Sequence, residues 1–262
     1  MTNKIVFLSQ LDLNLIKFRL PIMETLVEKG WEVIALIPQG KYTHELCDKG
    51  IDCVFYDLDR KSLNPFKELY ALFDLYRKLK AIRPDILHAF TPKPNIYGAI
   101  TAFLLRIPTR IITITGLGTF YTSDSLFSKM MRVMIINLYR LVGRMVSYVI
   151  FQNGDDSAYF LEKMVVKPSQ VKIIKGSGLD TVFWQRETVS KEKGVFKVLM
   201  SARLLRSKGV MEYCEAAKAL KEKYSDKIAF YLSGDYDSGN PHSFSEKDLK
   251  ESAFLVLEEA TP

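Results

Sequence analysis

Residues 196–209 read Phe-Lys-Val-Leu-Met-Ser-Ala-Arg-Leu-Leu-Arg-Ser-Lys-Gly. The apolar run at the start predicts a buried β-strand, and the Ser-Lys-Gly at the end leads into an amphipathic helical pattern. Ligands of α/β sheets bind beyond the carboxyl ends of the strands, and the amides at a helix start attract anions. This order therefore directs Arg203, Lys208 and the helix-start amides toward one anion, such as a diphosphate. A solvated basic loop explains the same residues equally well.

The rest of the chain repeats this alternation of strand and helix. Short, nearly continuous apolar runs occupy residues 5–8, 33–37, 53–56, 86–90, 111–114 and 148–151, and a further short strand is predicted within 168–174. Helical patterns separate them, including one from Ile16 to a stop at Gly30 and one that opens at Asn64-Pro65. Strands that are apolar at nearly every position are typical of a parallel sheet covered on both faces. We predict a doubly wound, Rossmann-like α/β domain over residues 1–185.

A second α/β unit follows a charged, aperiodic stretch, residues 186–194, which we interpret as a linker. The unit has predicted strands at residues 197–200 and 228–233, with a helix at about 210–224 between them. Doubly wound sheets usually have about five or six strands, and the chain ends 53 residues after Gly209. We therefore expect residues 195–262 to be the beginning of a second Rossmann-like domain, truncated at its C-terminus.

The composition limits the classes of partner. The chain of 262 residues has a net charge of +7 and is 48% hydrophobic, so it is globular and favours an anionic partner: phosphate, anionic lipid or nucleic acid. Cys47, Cys53 and Cys214 form no Cys-x-x-Cys pair, which makes a disulfide framework or a zinc site unexpected and a reducing cytosol the simplest location. The first apolar run is too short for a signal peptide.

Two further loops follow predicted strands of the first domain. His88 closes one strand, and the loop after it carries Lys93 and Asn95 at the opening of a helix. Residues 113–120 follow another strand, and Gly116 and Gly118 would let the backbone approach a ligand. The Gly-x-Gly is not a dinucleotide fingerprint, because no third glycine follows at the required position. A core histidine and a plain turn are the ordinary explanations of these two loops.

Residues 128–144 combine an apolar helical pattern with four basic side chains: Lys129, Arg132, Arg140 and Arg144. A helix of this kind suits a membrane interface, with its cations among the headgroups. The simpler explanation is a core helix whose arginines reach outward to solvent. Three arginines within the apolar stretch argue against a membrane-spanning helix.

The loop at residues 234–241 begins with Gly234 and carries two aspartates. Its spacing departs from the calcium-loop pattern, and it lacks the closing glutamate. We interpret it as a loop that borders the same cleft as Arg203, and we predict no metal site.

In combination, these motifs resemble the GT-B glycosyltransferases of family 4. The resemblance extends over residues 5–250 and is closest to bacterial PglA-type transferases acting on undecaprenyl-diphosphate-linked sugars. It rests on Phe-Arg-Leu-Pro at 18–21, Ser-Leu-Asn-Pro-Phe at 62–66, Gly-Leu-Gly-Thr-Phe-Tyr at 116–121, Asn-Leu-Tyr-Arg-Leu at 137–141, Gly-Ser-Gly-Leu-Asp at 176–180, and Ala202-Arg203 with Lys208-Gly209.

The resemblance implies an N-terminal domain that binds the acceptor and a C-terminal domain that binds a nucleotide sugar, expected to be UDP-linked. The reaction would transfer a hexose or N-acetylhexosamine with retention of anomeric configuration and without a metal or cofactor. The Arg-x-x-x-x-Lys-Gly pattern would bind the donor diphosphate through Arg203, Lys208 and Gly209, with Gly234 nearby. The family's Glu-x7-Glu element, in its usual Glu-Gly-x-Pro context, is not found in the sequence, so a non-catalytic acceptor- or membrane-binding remnant is the alternative.

The same resemblance assigns the other expected site residues. The acceptor side would comprise Asn14, Lys93, Asn95, Gly116 and Gly118. His88 is the candidate catalytic residue, and Lys129, Arg132, Arg140 and Arg144 would contact lipid. We expect a protein peripherally associated with the inner face of the bacterial cytoplasmic membrane, with no nucleic-acid partner.

Overall fold

The computed structural model describes residues 3–59, 62, 64–116, 125–178, 181, 194–234 and 243–244. The chain divides into two compact units, Met1–Gln185 and Arg186–Pro262. Of the linker predicted at residues 186–194, only Gly194 lies within the described residues.

The first unit is built on a seven-stranded sheet in which all strands are parallel. Its strands are β1 (Lys4–Leu8), β2 (Glu32–Ile37), β3 (Asp52–Phe55), β4 (Ile86–Phe90), β5 (Thr109–Ile114), β6 (Tyr148–Phe151) and β7 (Val171–Ile173). They lie in the order β3-β2-β1-β4-β5-β6-β7. The seven predicted strands are therefore confirmed. The order reverses between β1 and β4, the place where doubly wound sheets open a crevice for ligands.

Helices cover both faces of this sheet. They are α1 (Asp12–Phe18), α2 (Leu20–Glu28), α3 (Thr43–Cys47), α4 (Pro65–Ile82), α5 (Pro92–Leu104), α6 (Leu126–Gly143) and α7 (Gly154–Glu162). Successive strand side chains point to opposite faces, so Phe7 of β1 packs with the apolar residues of α1–α3, whereas Val6 and Leu8 pack with those of α4–α7. The parallel, doubly wound architecture is thus confirmed.

The helix predicted from Ile16 to Gly30 is in fact two helices that meet at Arg19, whose φ is −129°. Pro21 has no backbone N–H to donate to the carbonyl four residues earlier, and its ring crowds that carbonyl, so the helix breaks just before it. The amide of Arg19 donates to the carbonyl oxygen of Leu15 at 2.7 Å, and its own carbonyl accepts from the amide of Met23 at 3.0 Å. The backbone of Arg19 is therefore held by both helices.

The predicted start of α4 is confirmed in detail. The side chain of Asn64 accepts a hydrogen bond from the amide of Phe66, and Pro65 occupies the first turn. The helix ends at Ile82 and is followed by Arg83 in the left-handed conformation. Its inner face buries Leu75 and Leu79, which makes α4 one of the anchors of the core on this side of the sheet.

Within its described residues, the second unit consists of β8 (Phe196–Ser201), α8 (Val210–Tyr224) and β9 (Ile228–Ser233), with the two strands paired in parallel. All three elements agree with the prediction. A small core of Leu204, Val210, Cys214 and Phe244 packs between the loop after β8 and the helix. This packing fixes the loop that carries Arg203.

Candidate functional site

A cavity of about 230 Å³ lies at the carboxyl edge of the first sheet. It is lined by residues at the carboxyl ends of five strands or in the segments that follow them: Asn14, Phe18 and Arg19 after β1, Phe90 and Thr91 at the end of β4, Thr115 after β5, Gln152 after β6 and Ser177 after β7. Of the residues expected on the acceptor side, Asn14 lines the cavity, and the lining residues Thr91 and Thr115 lie in the segments that carry Asn95 and Gly116. Doubly wound sheets bind their ligands at this edge, which makes the cavity the candidate site of the first unit.

The ring of His88 contacts that of Phe90, which lines this cavity. Its Nε2 is 2.8 Å from the hydroxyl of Thr113, and its ring centroid is 4.2 Å from that of Phe90 and 5.7 Å from that of Phe7. Burial, reinforced by the nearby charge of Arg19, lowers the pKa of His88 to about 3. A ring with this pKa is neutral at physiological pH and a poor proton acceptor. Its geometry suits hydrogen bonding, and a catalytic role for His88 stays a prediction.

Lys93 lies outside the lining of the cavity. Its ammonium donates to the carbonyl oxygens of Asp59 at 2.9 Å and Ser62 at 2.6 Å, and to Oε1 of Glu68 at 2.8 Å. The hydroxyl of Tyr97 donates to the other oxygen of Glu68. Three acceptors match the three donors of an ammonium group, so Lys93 fixes the loop between β3 and α4. Its predicted contact with the acceptor has no support from this geometry.

Asn95 is fully buried in the first turns of α5. Its Nδ2 donates to the carbonyl oxygen of Thr113 at 2.9 Å, which ties α5 to the end of β5. Gly116 is exposed, adjoins the cavity residue Thr115 and has a φ of +138°, a conformation that favours glycine. Gly118 lies outside the described residues.

The start of α5 borders the same cavity but offers few amide donors. Pro92 and Pro94 both lie in its first turn and have no N–H, which leaves the amide of Lys93. The residue before the helix, Thr91, has φ +75° and ψ 155°, a region that costs a non-glycine residue about 1–3 kcal/mol. Strain of this kind is concentrated at ligand sites, and Thr91 lines the cavity.

In the second unit, the structure brings Arg203 and Gly234 together. A Cβ at position 234 would lie 1.8 Å from the carbonyl oxygen of Ala202 and 3.6 Å from the amide nitrogen of Arg203. The loops after β8 and β9 are therefore in direct backbone contact, and glycine is required for it. The side chain of Arg203 is exposed at this carboxyl edge.

Lys208 and Gly209 form the entry to α8. A short 3-10 helix, Arg206–Lys208, ends at Gly209, which has a φ of +77° and precedes the first residue of α8. Among the described residues, the first α8 amide that donates to a backbone carbonyl is that of Tyr213, which bonds to the oxygen of Gly209 at 2.9 Å. The earlier amides are the donors that a helix start leaves for a ligand. The side chain of Lys208 is exposed beside them.

The outer face of α6 is apolar. Leu126, Met130 and Val133 have exposed fractions of 76%, 65% and 60%, and Lys129 and Arg144 are exposed on the same face. In contrast, Arg140 turns toward α7, because its Nε donates to the carbonyl oxygen of Lys163 at 3.1 Å. Arg132 is half-buried. Two of the four predicted membrane cations therefore flank the apolar face, and no helix of the described residues could cross a bilayer.

The sequence patterns did not assign Arg19, Gln152 or Ser177 to the first site. Arg19 belongs to the Phe-Arg-Leu-Pro stretch, and the signal for its position is Pro21, which breaks the helix. Gln152 and Ser177 follow β6 and β7, and the side-chain Nε2 of Gln152 donates to the hydroxyl of Ser177 at 3.0 Å. Their common position after parallel strands was the available signal.

Comparisons with known proteins agree with this architecture. Residues 4–153 match the family described as Glycosyl transferase 4-like. The N,N'-diacetylbacillosaminyl-diphospho-undecaprenol alpha-1,3-N-acetylgalactosaminyltransferase of Campylobacter jejuni is 32% identical over 97% of this chain and 69% of its own length. The UDP-Gal:alpha-D-GlcNAc-diphosphoundecaprenol alpha-1,3-galactosyltransferase of Escherichia coli is 20% identical over 89% of this chain and 62% of its own length.

Among solved structures, Anabaena HepE in complex with UDP and glucose superposes with a TM-score of 0.62 and 19% identity, covering 88% of this chain and 60% of HepE. The chain thus spans about 60 to 69% of the length of the relatives it matches. The likeness to HepE identifies the fold as GT-B. With more than half of its residues matched by one family, and a relative of 32% identity along nearly its whole length, the chain belongs to the Glycosyl transferase 4-like family of glycosyltransferases.

Proposed function

We propose that this protein transfers a hexose or N-acetylhexosamine from a UDP-sugar to a sugar carried on undecaprenyl diphosphate. The observation that supports this most strongly is the 32% identity to the Campylobacter enzyme, whose acceptor is a diphospho-undecaprenol-linked sugar. The more distant Escherichia coli relative is named for the same type of lipid carrier and for a UDP-linked donor. The two relatives differ in the sugar transferred, so the proposal leaves the sugar open.

In this proposal the second unit binds the donor. Arg203 and Lys208 supply positive charge at the carboxyl edge of β8, and the first amides of α8 supply hydrogen-bond donors. As the sugar leaves, negative charge develops on the departing diphosphate, and groups already oriented toward it lower the barrier. Such a set of cations and amides can act without a metal ion. Retention of anomeric configuration is part of the proposal.

The first unit would bind the acceptor at the cavity beside Asn14 and Thr115. Its lining combines hydroxyl and amide groups with two aromatic rings, a mixture of apolar and polar groups that is typical of sites for small ligands. Gly116 adjoins the cavity without a side chain, so the backbone there is open to a ligand.

The outer face of α6 would rest on the inner surface of the cytoplasmic membrane, where a polyprenyl-linked acceptor is held. Its exposed apolar side chains would enter the headgroup region, and Lys129 and Arg144 would pair with anionic lipids. The net charge of +7 favours the same surface.

The test is a transfer assay with the full chain. Undecaprenyl-diphosphate-linked N-acetylglucosamine and N,N'-diacetylbacillosamine in detergent are each mixed with UDP-glucose, UDP-galactose, UDP-N-acetylglucosamine and UDP-N-acetylgalactosamine. We expect the mass of one sugar to be added to one acceptor, undiminished by EDTA, with the donor's anomeric configuration kept in the NMR spectrum. No product from any pair, with the lipid substrates shown to be intact, would reject the proposal.

A binding experiment examines the donor side separately. UDP should raise the melting temperature of the wild type, because a ligand of the folded state stabilises it. Arg203→Ala and Lys208→Ala should each reduce this shift, whereas Lys218→Ala, an exposed lysine on α8, should not. Equal shifts in all three variants would remove these two cations from the donor site.

A further inference from the structure

Arg19 is an arginine buried in the wall of the first cavity. The break between α1 and α2 fixes its backbone, and only 8% of the residue is exposed. Its guanidinium carbon lies 4.5 Å from the centroid of the Phe90 ring, which also lines the cavity. The side chain is therefore held in one place by the fold, on the wall of the cavity rather than in solvent.

Among the described residues, no carboxylate pairs with this charge. Nη1 of the guanidinium donates a hydrogen bond to the carbonyl oxygen of Phe18 at 3.3 Å. A guanidinium has five N–H donors, so the described residues leave most of its hydrogen-bonding capacity unused. Burying a charge without a partner costs several kcal/mol, and burial lowers the pKa of Arg19 accordingly. A structure that keeps such a cation in a cavity is suited to receive an anion there.

The remaining lining indicates what kind of anion fits. The polar side chains are neutral hydroxyls and amides, from Asn14, Thr91, Thr115, Gln152 and Ser177, and none of the residues that line the cavity is acidic. A cationic ligand would find no counter-charge in this lining. The volume of about 230 Å³ is several times that of one water molecule, about 30 Å³, but lies below the 300–1,000 Å³ of pockets for drug-sized ligands. A compact oxyanion matches both the size and the chemistry.

We propose that Arg19 and the cavity around it bind the diphosphate group of the lipid-linked acceptor. A planar guanidinium is the group best matched to bidentate binding of phosphate oxygens, and the hydroxyl and amide side chains complete the shell. This subsite rests on the proposed function for the identity of its ligand. The diphosphate of UDP has the same chemistry, but the cations proposed for the donor, Arg203 and Lys208, belong to the second unit.

The experiment measures binding to the full chain by calorimetry, with farnesyl diphosphate, neutral farnesol and UDP as separate probes. The variants are Arg19→Met and Arg19→Lys, and the matched control is Lys17→Met, an exposed cation two residues away on α1. We expect Arg19→Met to weaken farnesyl diphosphate binding about tenfold or more, the range for a hydrogen bond to a charged group. Arg19→Lys should lie between it and the wild type, and Lys17→Met should equal the wild type.

Each probe discriminates a different outcome. UDP binding unchanged by Arg19→Met assigns the subsite to the acceptor, whereas parallel losses for UDP and farnesyl diphosphate would overturn that assignment. Equal affinities for farnesol and farnesyl diphosphate, or an Arg19→Met variant that binds as the wild type does, would overturn the subsite itself. If Arg19→Met does not fold, Arg19→Lys and Thr115→Val test the subsite instead. Wild-type affinity for farnesyl diphosphate in both variants would also refute the subsite. The two proposals can fail separately. If Arg19→Met loses farnesyl diphosphate binding while the wild type shows no transfer in the assay above, the subsite is upheld and the proposed reaction is rejected.

Discussion

The α-carbon of Gly234 faces the carbonyl of Ala202 so closely that a Cβ at position 234 would lie 1.8 Å from the carbonyl oxygen. The neighbouring atom belongs to the backbone, so no side-chain rotation can relieve the overlap. The ends of β8 and β9 are joined in register at Ser201 and Ser233, which leaves the two loops little freedom to separate.

Gly234→Ala should therefore destabilise the second unit by about 1–3 kcal/mol, the usual cost of inserting an atom into a packed site. Hydrogen–deuterium exchange of peptides from β8 and β9 would show faster exchange, and the UDP-dependent shift in melting temperature would decrease. Gly194→Ala is the control, because a Cβ at position 194 meets no atom within 4 Å. Wild-type exchange in Gly234→Ala would contradict the close contact.

A second prediction concerns His88 and pH. The pKa of His88 is lowered to about 3 in the folded protein, against about 6.5 in the unfolded chain. The unfolded state therefore binds more protons below pH 6.5, and stability is full above this pH and falls between about 6.5 and 3. Urea midpoints at pH 7.5, 6 and 5 should decline less in His88→Gln than in the wild type. His44→Gln, which changes an exposed histidine of α3, should keep the wild-type slope.

A third prediction concerns the ion pair between Lys93 and Glu68, in a lower pH window. Burial raises the pKa of Glu68, but the hydrogen bonds from Lys93 and Tyr97 outweigh it and the pKa lies below its ordinary value. The contribution to stability is then complete above about pH 4.3, the unfolded value, and is lost as pH falls through the folded pKa. Urea midpoints below pH 4.3 should fall more steeply in the wild type than in Glu68→Gln. Equal slopes would show that the pair contributes nothing, and Glu45→Gln, at an exposed carboxylate of α3, controls for the lost charge.

The fourth prediction tests the outer face of α6. Met130→Glu places a negative charge among exposed apolar side chains and should reduce flotation of the protein with phosphatidylglycerol vesicles several-fold. Ile22→Glu is the matched control, because Ile22 is also exposed but lies on α2, which packs against the opposite face of the sheet. Equal losses in the two variants would attribute binding to overall charge rather than to α6.

Much of the fold could be predicted from the sequence, because buried parallel strands appear as short apolar runs between helical patterns. The run at residues 86–90 became β4 with the same bounds, and Asn64-Pro65 marked the start of α4 because it carries both a capping side chain and a proline. The helix that Pro21 divides was predicted as continuous, since apolar spacing alone does not register a missing backbone N–H.

The site was less predictable, because it depends on which side chains the tertiary structure pairs. Lys93 follows a strand, as a binding residue would. Its ammonium nevertheless donates to Glu68 and to two carbonyl oxygens of the loop between β3 and α4. Arg19 carried no signal of binding by itself, and its importance comes from burial without a carboxylate among the described residues. The order of residues along the chain does not show whether a charged side chain has a partner in the folded protein.

Pro92 and Pro94 have a wider consequence for how the first unit selects its ligand. In the proposed acceptor site the main chain would contribute little at the mouth of α5, so discrimination would depend on exchangeable side chains such as Asn14, Thr115 and Gln152. In the donor site proposed at α8, main-chain amides would act beside Arg203 and Lys208, and point mutations alter main-chain donors far less. We expect that acceptor preference within this lineage diversifies by single amino-acid replacements, while the nucleotide pocket stays constant.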